Sequence, residues 1–311
     1  METFDYLGAK ALRWTVGEST FEAVPELGAR LMRWRWAGRE RLYWPEDLTD
    51  SGQIAEAYGG NPILFPFPAR CFVGGEVLQW IDPDRMRRPM PMHGLAKQGR
   101  FALTQVNDSG FVATFCPDES AHQSYPFDYL FSVAYRFASD QLTCEFILEN
   151  QGSRSIPWSA GHHFYFRMPL IEGAGIVAHR VRIDAAKACV VNLKTQGKLL
   201  SLTPFRTEES LDNLQLANAV IHYGLRSNEA RLRAESERDA VEIILSHGLQ
   251  SVPHPEFAFV TWCPALDGSF YCVEPWMGPS NAPEHHAGLH WVEPGRRGSH
   301  VVTVRISRPK N

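Results

Sequence analysis

Apolar and polar residues alternate one by one along much of this chain. In the stretch LTCEFILEN, residues 142–150, apolar side chains recur at every second position with threonine and glutamate between them. Successive side chains of a strand point to opposite faces of its sheet, so the alternation predicts a half-buried antiparallel strand. Near the end of the chain, residues 292–307 predict a glycine-containing turn and then a strand with Val302, Val304 and Ile306 on its inner face.

Five further stretches have the strand pattern and are separated by turn residues: 19–28, 29–38, 127–137, 180–184 and 241–246. Few windows show helical periodicity, and 24 glycines with 21 prolines indicate many turns. With 44% hydrophobic residues, the chain can fill a large core. We find no internal repeat and no composition break that would mark a linker. The sequence therefore predicts an all-β protein with a single domain over residues 1–311.

Residues 51–100 are the least strand-like part of the chain and are dense in Pro, Gly, Arg and Met. Long irregular segments inside compact domains are usually functional loops or disorder. The aromatic residues of this segment favour ordered loops, so we expect it to contribute to a functional site.

Charge and composition exclude several classes of partner. The 35 acidic and 31 basic residues give a net charge of −4, and no long basic run could neutralise a nucleic-acid backbone. No run of about 18 apolar residues predicts a membrane span, and the first residues, METFDYLGAKALRW, do not resemble a signal peptide. The six cysteines are scattered without a C-x-x-C pair, which is typical of reduced cysteines in the cytoplasm. We expect a soluble cytoplasmic protein; its oligomeric state is not predictable from these features.

Glu274 is the first candidate for chemistry. If SFYCVE is a strand, Glu274 shares a face with Phe270 and Cys272, so its carboxylate points where two apolar side chains point. An unpaired buried carboxylate is costly. Two interpretations remain open: Glu274 forms a buried ion pair with an arginine, or it is kept for proton transfer.

Two adjacent histidines occur in GHHFYF, residues 161–166. Strand parity places His163 and Tyr165 on one face and His162 on the other with two phenylalanines, so the two histidines cannot easily share a metal. His163 is the site candidate, because imidazole exchanges protons near neutral pH. His162 is expected to be packed or exposed without a role in the site.

Three more polar residues are weaker candidates, each with an ordinary alternative. His93 lies between methionine and glycine in the loop-rich segment and could simply be solvated. Arg70 follows an aromatic and proline-rich stretch that would hold a guanidinium rigidly, although a loop salt bridge explains it equally. Asp212 precedes Asn213, and this pair is also common in turns.

The stretch APEHHAGLHW, residues 282–291, suggests a metal cluster. His286 and His290 would share a face only in a helix, and Pro283 and Gly288 make a helix of that length unfavourable. We therefore expect no metal site there.

Several motifs, taken together and in order, resemble the aldose 1-epimerase (galactose mutarotase-like) family. ELGARLMRWRWAGRERLYW resembles its opening strand pair, GGNPILFPFPAR its Asn-Pro to Arg segment, and GHHFYF its histidine motif. CVEPWMGPSNA resembles the strand and loop that carry its catalytic glutamate, and WVEPGRRGS its closing turn. The ordered matches cover nearly the whole chain.

The resemblance implies a large twisted antiparallel β-sandwich with an open cleft, a small-molecule sugar as substrate, and no metal or organic cofactor. Mutarotation needs a base for the proton of the anomeric hydroxyl and an acid for the ring oxygen. By resemblance Glu274 is the base and His163 the acid, while Arg70, His93 and Asp212 bind the sugar.

The sequence also departs from the family pattern. Phe164 stands where a proline often follows the family's histidine. The residues that usually surround the family's sugar-binding aspartate are absent around Asp212. MHGLAK is closer to the hexose-6-phosphate epimerase branch of the family than to the galactose branch. Where that branch has an arginine, this chain has Lys97, which could contact an anionic group. That branch also has an arginine before its Gly-Gly, where this chain has Tyr58. We therefore predict a neutral aldohexose rather than a phosphorylated or otherwise acidic one.

Three functions remain open: this epimerase, a catalytically silent sugar-binding protein of the same fold, and a glycosidase. A glycosidase would use Glu274 and Asp212 as paired carboxylates, about 5–10 Å apart across the bond that is cleaved.

Overall fold

The computed structural model describes residues 1–191, 193–237, 239–248, 252–265 and 268–309. The all-β prediction is confirmed, and all the strands predicted from alternation are present. In the part of the chain that is described, no helix has the length and apolar character needed to cross a membrane.

The chain begins with a small antiparallel sheet in which each strand pairs with the next. Its strands are β1 (Glu2–Tyr6), β2 (Ala9–Val16), β3 (Ser19–Val24), β4 (Arg30–Trp36) and β5 (Arg39–Glu40). A short 3-10 helix, Ser51–Ile54, follows; its N-cap Asp50 accepts a hydrogen bond from the backbone of Gly52, which satisfies a free amide.

The middle of the chain contains short strands and then the long strands of a second, larger sheet. These are β6 (Ile63–Leu64), β7 (Phe72–Val73), β8 (Glu76–Val77), β9 (Gln79–Ile81), β10 (Arg87–Pro89), β11 (Arg100–Asn107), β12 (Gly110–Cys116), β13 (Tyr129–Phe137), β14 (Gln141–Asn150), β15 (Ile156–Trp158), β16 (Gly161–His162) and β17 (Phe164–Arg167). A short helix, α1 (Glu119–Ser124), joins β12 to β13.

The last third of the chain completes the large sheet. The strands of this third are β18 (His179–Val190), β19 (Leu200–Ser201), β20 (Glu208–Ser210), β21 (Val220–Glu235), β22 (Ala240–His247), β23 (Ala258–Trp262), β24 (Phe270–Trp276), β25 (His290–Val292) and β26 (Arg297–Ser307). All of them belong to the large sheet except β25, which pairs with β15 in a separate two-stranded sheet. Short 3-10 helices occur at Ile176–Ala178 and Leu214–Ala217, and α2 (Ala282–His285) follows β24.

The large sheet is antiparallel and has the strand order β11-β12-β13-β14-β26-β22-β21-β23-β24-β16-β6. In addition, β17 pairs with β24, and β18 pairs with β21. On β26, Val302, Val304 and Ile306 are fully buried, as the alternation predicts. The order brings β21, β23, β24 and β17 side by side, although β17 and β24 are about a hundred residues apart.

The two sheets pack face to face through large aromatic side chains. Trp14 of the small sheet stacks on Phe111 of the large sheet at 5.5 Å between ring centroids, and Phe21 stacks on Phe137 at 4.3 Å. Such rings bury large apolar areas and prefer offset or edge contacts at these distances. The predicted β-sandwich is therefore confirmed.

Candidate active site

A pocket of about 310 Å³ opens on the large sheet where β17, β24, β23 and β21 lie side by side. Loops of the segment 51–100 line its other side, as expected for that segment. Five of the predicted site residues line this one pocket: Arg70, His93, Lys97, His163 and Glu274. Their positions in the sequence span about two hundred residues, so only the fold brings them together.

Glu274 lies on β24 and points into the pocket with 1% of its surface exposed. No arginine or lysine among the described residues forms an ion pair with it, so the buried Glu–Arg interpretation is wrong. Burial raises the pKa of Glu274 well above its usual range, because a carboxylate loses its hydration there.

His163 stands next to Glu274, with Nε2 of the imidazole 3.4 Å from Oε2 of the carboxylate. Its ring stacks on Tyr165 at 4.5 Å between centroids, which confirms that the two residues share a face. Burial lowers the pKa of His163 well below its usual value, and the neighbouring His93 adds to this effect. His162 points the other way and stacks on Phe146 in the core.

Together, Glu274 and His163 can hold one exchangeable proton without net charge. Burial disfavours both an isolated carboxylate and an isolated imidazolium, so it favours states of the pair that carry one proton between them. The proton can reside on Glu274 with His163 neutral, or on His163 with Glu274 ionised. Moving it between the two groups gives an acid and a base side by side, as general acid–base catalysis requires.

Asn61 holds this pair in place and was missed by the sequence analysis as an individual residue. Its Oδ1 accepts a hydrogen bond from the backbone N–H of His163 at 3.0 Å. Its Nδ2 donates to the hydroxyl of Tyr135 at 2.7 Å and lies 2.9 Å from Nδ1 of His162. Asn61 is fully buried, and the only available signal was its place in the GGNP motif.

His93 is a buried histidine and not a solvated loop residue. Its Nδ1 accepts a hydrogen bond from the backbone N–H of Ala69 at 3.2 Å, so the neutral ring carries its proton on Nε2. Burial lowers the pKa of His93 to about 3, which keeps the ring neutral. The ring meets His163 edge to face at 5.3 Å between centroids, so Nε2–H is a fixed donor beside the acid–base pair.

Arg70 and Lys97 supply the positive charge of the pocket. Within the described chain, no carboxylate lies within ion-pair distance of Arg70, so the loop salt-bridge interpretation is wrong. Nζ of Lys97 lies 4.0 Å from Oε2 of Glu56, and burial lowers the pKa of Lys97. Both side chains can therefore donate hydrogen bonds to a ligand.

Asp212 does not line the pocket. It is exposed in a turn that follows β20, where the Asp-Asn pair forms the turn that its sequence allowed. Of the described residues that line the pocket, Glu274 is the only one with a carboxyl group. The prediction that Asp212 binds the sugar in this pocket is therefore wrong. A glycosidase that uses Glu274 and Asp212 as paired carboxylates would lack its second carboxylate here.

Two groups of side chains could converge on a metal ion. The ligand atoms of His163, Cys272 and Glu274 lie within 4.8 Å of one another, as do those of His254, Glu256 and His290. In the first group a metal would have to displace protons from Cys272 and Glu274, whose pKa values burial raises. The helix that His286 and His290 would have needed ends at His285.

Fold and site together define a class: a large antiparallel β-sandwich with a buried glutamate–histidine pair in a pocket on its large sheet. The model of the aldose 1-epimerase family matches residues 13–305. The chain therefore belongs to the aldose 1-epimerase family.

Its relatives are distant. The uncharacterised protein YphB of Escherichia coli is 23% identical over 295 residues, which cover 84% of this chain and 94% of that protein. A Salmonella typhimurium protein provisionally named glucose-6-phosphate 1-epimerase is 28% identical over 200 residues, which cover 63% of this chain and 60% of that protein.

The fold is shared with solved structures. A galactose mutarotase-like protein from Clostridium acetobutylicum superposes with a TM-score of 0.79 at 18% identity, covering 99% of this chain and 98% of that chain. A galactose mutarotase-related enzyme from Lactobacillus acidophilus gives 0.77 at 16% identity, covering 96% and 97%. At these identities the likeness concerns the fold alone.

Proposed function

We propose that the protein is an aldose 1-epimerase that interconverts the α and β anomers of a neutral aldohexose. The observation that carries this proposal is the contact of Glu274 and His163, 3.4 Å apart on the pocket floor. Neither Nδ1 of His163 nor Oε2 of Glu274 has a hydrogen-bond partner among the described residues. Buried polar atoms are rarely left without partners, so these atoms support a polar ligand in the pocket.

The chemistry requires no group beyond this pair and the sugar. Glu274 accepts the proton of the anomeric hydroxyl while protonated His163 donates to the ring oxygen; the C1–O5 bond breaks and a C1 aldehyde forms. Rotation about C1–C2 presents the other face of the aldehyde. The C5 hydroxyl then attacks C1 and returns its proton to His163, and Glu274 returns its proton to the new anomeric oxygen, so the pair is restored.

The surroundings of the pair suit a pyranose. Nε2–H of His93 and the guanidinium of Arg70 are donors for sugar oxygens. The rings of Tyr165, Trp262 and Trp276 line the same pocket and can cover the carbon-bound hydrogens of the ring.

The test follows one anomer of a pure sugar. We expect the wild-type protein to accelerate the change in optical rotation of fresh α-glucose or α-galactose, and to leave nitrophenyl glycosides intact. A catalytically silent sugar-binding protein would bind the sugar and leave the rotation rate at its spontaneous value. That outcome, measured at protein concentrations that saturate binding, would reject the epimerase.

Arg70 and Lys97 favour a second candidate, a hexose-6-phosphate 1-epimerase, in agreement with the provisional name of the Salmonella typhimurium relative. An unpaired guanidinium in a pocket is suited to an anionic group. Values of kcat/KM for glucose and glucose 6-phosphate at low and high salt separate the two. A preference of about tenfold for the phosphate that shrinks with salt and in Lys97→Ala would establish this candidate.

A further inference from the structure

The floor of the pocket continues from Glu274 into an apolar row across the large sheet. Glu274 on β24 stands opposite Val260 on β23, Val260 opposite Ile221 on β21, and Ile221 opposite Cys189 on β18. Directly opposed residues on antiparallel strands point to the same face. Because neighbouring strands lie about 4.8 Å apart, Ile221 is about 10 Å from Glu274 along this row.

This end of the pocket has an apolar lining on the sheet side. Val191, Ala219, Ile221 and Val260 all line the cavity, and none of their side chains can donate or accept a hydrogen bond. Ile221 and Val260 are almost fully buried and belong to one hydrophobic cluster. We call these four residues the apolar wall. The cationic residues Arg70 and Lys97 belong to the loops that face the sheet.

A pyranose that extends from Glu274 along this row places the end remote from its reacting carbon against the apolar wall. When the anomeric hydroxyl is held by Glu274, the atoms farthest from it in a pyranose are those around C4 and the exocyclic C6. A hydroxyl directed at the wall finds no hydrogen-bond partner among the side chains of the wall, whereas a methyl group gains apolar contact there.

We propose that the substrate is a 6-deoxyaldohexose, whose C6 methyl group packs against the apolar wall. This inference rests on the proposed epimerase and deepens it, because it names the substrate class of the same pocket. A hydrophobic pocket discriminates against an added hydroxyl by about a hundredfold at most. We therefore expect a preference between about tenfold and a hundredfold for the 6-deoxy sugar.

The experiment compares matched sugars that differ only at C6. Values of kcat/KM for anomer exchange are measured by NMR for D-fucose with D-galactose, 6-deoxy-D-glucose with D-glucose, and L-fucose with L-galactose. A preference of about tenfold or more for the 6-deoxy member of a pair supports the proposal. Ratios within about threefold in all pairs, or a preference for glucose 6-phosphate, would overturn it.

Two variants on one strand assign the preference to the wall. Ile221→Thr keeps the β-branch, removes the terminal methyl group and places a hydroxyl on the wall, so the preference should fall about tenfold. Val220→Thr is the matched control, because Val220 is equally buried on β21 but faces away from the pocket, and its ratio should equal that of wild type. A wild-type ratio in Ile221→Thr would contradict the proposal.

Binding separates this inference from the proposed function. Dissociation constants for the same sugar pairs, measured by calorimetry on Glu274→Gln, do not depend on catalysis. If the wild-type protein has no epimerase activity but 6-deoxy sugars bind more tightly, the recognition of the C6 methyl group by the apolar wall is supported and only the epimerase function is rejected. If the wild-type protein catalyses anomer exchange but both members of each pair bind with equal affinity, the epimerase function is supported and the preference of the apolar wall for a C6 methyl group is rejected.

Discussion

Replacing Asn61 with alanine should destabilise the protein and disable the acid–base pair together. The change removes the hydrogen bonds of Asn61 to the hydroxyl of Tyr135, to Nδ1 of His162 and to the backbone N–H of His163. All three partners are buried. Each buried group left without a partner costs about 1–3 kcal/mol, and water entering the vacated space recovers part of it. We expect a loss of about 3–5 kcal/mol in the free energy of unfolding.

The same change should also lower kcat, because the backbone of His163 is no longer held. Misplacing a catalytic group by about 1 Å can cost about a hundredfold. Urea unfolding gives the stability, and NMR exchange gives kcat and KM. Tyr135→Phe is the control: it removes one partner of Asn61, should cost about 1 kcal/mol, and should keep the wild-type kcat. A stability loss below about 1 kcal/mol in Asn61→Ala, or an equal loss of kcat in both variants, would refute the reasoning.

Three further predictions concern other parts of the molecule. Burial lowers the pKa of His222 to about 3, so the stability that its neutral form contributes is present above pH 6.5 and is lost as the pH falls towards 3. Between pH 7.5 and 5 this effect costs the wild type about 2 kcal/mol of unfolding free energy, and His222→Gln should not show that part of the loss. An unchanged pH dependence in the variant would contradict this. Asp212→Asn should keep the wild-type kcat/KM, since Asp212 lies outside the pocket, and a tenfold loss would return it to the site. His93→Gln retains a donor, whereas His93→Phe does not, so only the second should raise KM strongly; equal KM values would remove His93 from sugar binding.

Much of the sheet structure was predictable because strand parity is a local property. Alternation located β14, β22 and β26, and it placed Glu274 with Cys272 and His163 with Tyr165 on common faces. Strand order is different, since β17 meets β24 through pairings between distant parts of the chain that no local pattern encodes. Without that order, the contact between His163 and Glu274 could be inferred only through the family resemblance.

The residues that sequence reasoning missed or misplaced depend on tertiary packing. The roles of Asn61 follow from partners on β13 and at the junction of β16 and β17, all far from Asn61 in the sequence. The sequence around Asp212 was compatible with both a site residue and a turn, and only the position of the turn outside the pocket distinguishes them. The apolar wall was equally invisible, because Val191, Ile221 and Val260 look like ordinary core residues until the register sets them beside Glu274.

The most direct test of the proposed acid–base pair is the rate of anomer exchange in Glu274→Gln, measured by NMR at saturating sugar. Glutamine keeps the shape of the side chain but cannot accept the anomeric proton, so sugar binding and the unfolding midpoint should stay close to wild type. We predict that kcat falls by about 10²–10⁴-fold. A kcat within about threefold of wild type would contradict the account, because the proton would then be taken by another group.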